Sequence, residues 1–65
     1  MTDQERLERF EAALADLQAE QASVEATMKE LRAKGRVKSA TYQQLMARRL
    51  TLKALGGMFE RHGLL

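Results

Sequence analysis

The chain has no cysteine, no proline and no tryptophan, and its aromatic residues are one tyrosine and two phenylalanines. Without cysteine no disulfide can staple it, and with His62 as the lone histidine and no thiolate, a structural zinc site is excluded as well. The absence of proline removes the strongest helix breaker. Only four glycines remain to punctuate the chain, while Ala, Leu, Glu, Gln, Lys and Arg dominate it, all good helix formers. No apolar run approaches the ~18 residues needed to span a bilayer. The N-terminal Met-Thr-Asp-Gln-Glu-Arg is charged and polar where a secretory leader needs an apolar stretch, so the expectation is a cytoplasmic protein with no membrane partner. Acids are scarce in the second half. Residues 31–65 hold eight bases and one acid, Glu60, whereas residues 1–30 hold eight acids and three bases, so the two halves are electrostatically complementary.

With 65 residues there is room for a single domain, and a chain of that size buries too little surface to be stable without regular helix packing or self-association. The pattern that is present is helical. Thr2-Asp3-Gln4-Glu5 has the capping-box spacing, in which a hydroxyl accepts from the third helical N–H and a carboxylate reaches back. From there Leu7, Phe10, Leu14, Leu17, Gln21, Val24, Met28 and Leu31 recur at alternating spacings of three and four. This is a heptad seam broken only by Gln21, a position where a polar side chain can set register or lie at a rim. Glu5 with Arg9, Glu25 with Lys29 and Glu30 with Lys34 stand four apart in the favourable acid-first order.

Gly35, flanked by Lys34 and Arg36, suits the left-handed residue that closes a helix, with cations at the negative end of the helix dipole. Ser39 and Thr41 both suit the next N-cap; Thr41, with Gln44 three residues on, completes a second capping box and is favoured. In the second helix Leu45, Leu52 and Phe59 recur at seven with Tyr42, Met46, Leu55 and Met58 beside them, a face broad enough for more than one neighbour. His62-Gly63-Leu64 fits a Schellman stop that folds Leu64 onto Phe59 and makes Leu64 and Leu65 core closure.

The sequence therefore predicts an all-α, coiled-coil-like antiparallel hairpin. Its helices run over about 3–34 and 41–62, with a turn at about 35–40, in one domain of residues 1–65. At 1.5 Å per residue the helices are roughly 48 Å and 33 Å long, so the second reaches back only to about residue 13 and leaves Leu7 and Phe10 overhanging. A hairpin also leaves one side of its seam open, and a homodimer forming a four-helix bundle would cover it, as would another helical protein. The candidate protein interface is accordingly Leu7, Phe10, Leu14 and Leu17, together with Gly56 and Gly57. That glycine pair costs about 1 kcal/mol per residue relative to alanine, and it suits either close approach of a partner helix or a local kink.

A second candidate surface is basic. Arg32, Lys34, Arg36 and Lys38 surround the turn, and Arg48, Arg49 and Lys53 follow on the second helix, a pattern able to meet phosphates or an acidic protein. The plainer reading has Arg48 and Lys53 answering the acids of the first helix; aromatic stacking residues and a recognised nucleic-acid motif are lacking. His62 reads as a helix-terminal cation, Tyr42 as a core ring with its hydroxyl at the surface, and Met28, Met46 and Met58 as gap-filling core or an adaptable binding face. No nucleophile is spaced with a base, no metal-ligand spacing occurs and no phosphate loop is present, so neither enzyme activity nor a cofactor is expected.

In size and hairpin design alone, the chain resembles the Rop plasmid-copy-number proteins, RNA-binding hairpin dimers. It resembles equally the hairpin co-chaperones of type III secretion needle proteins. These imply different activities, and the architecture does not choose between them. The expected function is that of a homodimeric hairpin adaptor or regulatory protein acting through protein contacts, with an RNA- or DNA-binding basic dimer as the alternative.

Overall fold

Thr2 opens the first helix as its spacing predicts. In the computed structural model, which describes Met1–Leu65, α1 spans Asp3–Ala33 and both halves of the capping box are formed. The Glu5 N–H donates to Thr2 Oγ1 at 3.1 Å, and the Thr2 N–H donates to Glu5 Oε1 at 3.3 Å. After the Lys34 C-cap the helix is closed by Gly35, which has φ of +70°; the Arg36 N–H reaches back to the Leu31 carbonyl at 2.8 Å, the long bond of a Schellman stop.

The second helix, α2, spans Ala40–Arg61. Its N-cap is Ser39, not Thr41: the Ser39 hydroxyl accepts from the Tyr42 N–H at 3.1 Å and donates to the Arg36 carbonyl at 2.9 Å. That double engagement lets one hydroxyl satisfy a free helix N–H and tie the turn together, which a Thr41 cap one turn fragment later would not do. At the far end Gly63 has φ of +72°, and the Leu64 N–H donates to the Phe59 carbonyl at 3.0 Å, the expected Schellman closure.

The two helices pack antiparallel as a hairpin with long dimension 49 Å. Leu14, Leu17, Val24 and Met28 of α1 meet Tyr42 and Leu52 of α2, with Phe10, Leu31, Leu45 and Phe59 partly buried around them. Met28 is fully enclosed and Leu52 is 2% exposed, so the heptad positions of both helices face each other. The core is nonetheless small, since seven of 65 residues are buried, and a core of that size leaves a slender margin against chain entropy.

Three expectations need correction. Phe10 does not overhang: its ring lies 5.7 Å from that of Phe59 in an edge-to-face arrangement, so the register of the two helices brings the rings together. Only Leu7, 53% exposed, is left past that contact. Leu64 and Leu65 do not complete the buried core: their side chains stay 46% and 41% exposed, although Leu65 folds back so that its Cδ1 would lie 4.0 Å from a Cβ on Gly56. On α1, Glu25 pairs across the hairpin with Arg49 at 2.6 Å and not with Lys29, and Glu5 is occupied by its cap and not by Arg9, while Glu30 and Lys34 pair as expected at 3.0 Å.

Candidate functional site

Gln21, the polar residue in the apolar seam, explains one of the two central glycines. Its Nε2 donates to the Leu52 carbonyl at 3.2 Å, and a Cβ on Gly56 would stand 2.8 Å from that nitrogen. Gly56 is thus the close-approach point of α1 on α2 within the chain, and the carboxamide finds its partner there. Gly57 has no such reason. Around a Cβ at Gly57 the nearest side-chain atom is Nη1 of Arg61 at 3.8 Å, so ordinary packing would admit a larger residue.

The pair floors an open groove of about 360 Å³ between the helices. Gln21, Glu25 and Arg49 form one wall, and Lys53 and Glu60 flank the glycines along α2. Arg49 and Lys53 also border a second hollow beside Met46 and Leu50 on α2. Leu50 stands out of it, 64% exposed, the most exposed large apolar side chain of either helix.

The remaining apolar surface of α2 is also uncovered. Met46, Leu55 and Met58 are each about two-fifths exposed, so of Met28, Met46 and Met58 only Met28 serves as core. Of the expected interface residues, Leu14 and Leu17 are buried inside the hairpin, Phe10 is partly buried against Phe59, and Leu7 is exposed at one end. The seam is consumed internally. The free apolar surface belongs to α2, where the broad distribution of Met and Leu around the helix was the sequence signal for it.

The basic residues are divided in the same way. Arg48 donates to Glu20 and Arg49 forms an ion pair with Glu25, both at 2.6 Å, one on each flank of the interface between the helices. These four side chains remain nearly half exposed, so each pair fixes helix pairing and register with a contribution of about 0–1 kcal/mol. Near the turn Lys34 is paired with Glu30, and Arg32 Nη1 donates to the Tyr42 hydroxyl at 3.3 Å, so that hydroxyl is held by the chain itself. Arg36, Lys38 and Lys53 have no ion pair within the chain. His62 is the C-cap of α2.

No three His, Asp or Glu side chains converge on a point that would hold a metal ion, and no helix is long and apolar enough to cross a membrane. No protein-family model matches the chain, and searches of the curated proteins and of the solved structures give no match either.

Proposed function

We propose that this hairpin is a non-enzymatic interaction protein that self-associates as a homodimer and works through protein contacts. The observation that carries this reading is the apolar outer surface of α2. The heptad seam is spent on folding the hairpin, yet Met46, Leu50, Leu55 and Met58 stay between 39% and 64% exposed on the same 22-residue helix. An isolated two-helix unit with so few buried residues gains most by covering such a surface, and a second copy is the partner always present at matching concentration. A four-helix bundle is the assembly this reading favours.

The turn cluster supports nucleic-acid binding less far, because two of its four cations are engaged inside the chain and two, Arg36 and Lys38, are left. Sedimentation equilibrium of the wild type beside Leu50→Asp and Leu55→Asp tests the main reading. The wild type is expected to dimerise and at least one variant to lose the dimer with unchanged helicity. A monomeric wild type together with a salt-sensitive gel shift, lost on changing Arg36 and Lys38, would instead carry the nucleic-acid reading.

A further inference from the structure

Lys53 and Glu60 line the groove, and neither has an ion pair within the chain, whereas the neighbouring Arg49 is held by Glu25. They stand seven residues apart, two turns along one face of α2, and the midpoint between them falls on the peptide joining Gly56 and Gly57. A two-fold axis perpendicular to the helix, level with that midpoint and lying between two copies, has a definite consequence. It carries Lys53 of one copy opposite Glu60 of the other, and the reverse, so that a single helix supplies both halves of two ion pairs. An isologous interface requires that kind of self-complementarity, in which residue i meets j and j meets i.

We propose that α2 is the homodimer interface, with two copies crossing antiparallel at Gly56–Gly57 and Lys53 of each paired with Glu60 of the other. The proposal rests on the self-association reading above and adds to it the surface, the direction and the register. Three independent features of the face agree with it. Gly57 lacks a side chain although the hairpin has room for one, and at a helix crossing a missing side chain lets the backbones approach more closely than the usual 8–10 Å. The groove of about 360 Å³ lies at the crossing point, where a neighbouring helix would fill it. Leu50, exposed at 64%, is carried by the same axis to the Gly63–Leu64 end of the second copy, where Leu64 is itself 46% exposed. Arg49 stays with Glu25 and needs no new partner. Complementary charge of this kind fixes register and direction more than it sets affinity, which suits two long helices that could otherwise slide.

The test is a charge exchange on the full chain at low salt, read as mass by sedimentation equilibrium, with far-UV circular dichroism as the folding control. Lys53→Glu places two carboxylates opposite each other at both ends of the crossing, and Glu60→Lys does the same with two ammonium groups. Each single variant is expected to weaken dimerisation on the order of tenfold or more, because like charges meet twice. A mixture of the two single variants is expected to form a heterodimer as tight as the wild-type dimer, and the double exchange Lys53→Glu/Glu60→Lys to restore the homodimer. Gly57→Leu, at a position where a Cβ makes only ordinary contact within the hairpin, is expected to remain helical and become monomeric. A wild-type dimer that tolerates both single changes, that is not recovered in the mixture, or that survives Gly57→Leu overturns this interface while leaving self-association standing. A wild type that stays monomeric overturns both.

Discussion

Gln21 and Gly56 act as one unit across the two helices. A residue-by-residue view would count Gln21 as a defect in the seam and Gly56 as a loss of about 1 kcal/mol of helix propensity. Together they place the carboxamide against the Leu52 carbonyl, a bond whose net contribution is about 0.5–1.5 kcal/mol. Gly56→Ala is therefore expected to be nearly neutral in urea denaturation, since the propensity gained is offset by the displaced amide. In a Gln21→Ala background the same change should stabilise the fold by about 1 kcal/mol. Equal effects in the two backgrounds would show that the two residues are not coupled. The sequence made each residue visible as an exception to its pattern, but their pairing depends on helix register, which composition and periodicity leave open.

At the scale of the element, the ends of both helices were legible because capping is local chemistry. Thr2 with Glu5, Gly35, and Gly63 with Leu64 all behave as their spacing predicts. The N-cap of α2 was ambiguous because two hydroxyl residues stand two positions apart, and the outcome was decided by the turn, where Ser39 can also bond the Arg36 carbonyl. Ser39→Ala is accordingly expected to lower stability by about 1 kcal/mol, and Thr41→Ala by a few tenths at most, measured by thermal unfolding. A reversal of that order would restore Thr41 as the cap. Within the seam, Leu52→Ala is expected to cost about 2–5 kcal/mol, enough to unfold so small a protein, while Leu7→Ala, beyond the Phe10–Phe59 contact, should stay within about 0.5 kcal/mol. The overhang was misjudged in sequence because helix length alone does not fix the register at which the helices pack, and the Phe10–Phe59 contact depends on that register.

For the whole molecule, the sequence already contained the hairpin, its division into an acidic first and a basic second half, and the breadth of the apolar face of α2. What it did not contain was the division of labour among like residues. Arg48 and Arg49 straddle the inter-helix seam while Lys53 is left unpaired, and Met28 is enclosed while Met46 and Met58 are exposed. That partition follows from which way each side chain points once the helices have chosen a register, a property of the pair of helices and not of either one. It also leaves Met46, Leu50, Leu55 and Met58 of the second helix exposed, while Leu14 and Leu17 of the first are buried in the hairpin. Because the ion pairs between the helices are half exposed, raising the ionic strength should lower the midpoint of thermal unfolding by only a few degrees. A collapse of the hairpin in high salt would mean that charge, and not the buried seam, holds it together.

If the folded hairpin presents α2 to a second copy of itself, light scattering of the wild-type chain across a wide concentration range should give a mass near twice 7.4 kDa that falls toward the single-chain value only on dilution. A well-folded chain that keeps the single-chain mass at every concentration would contradict it.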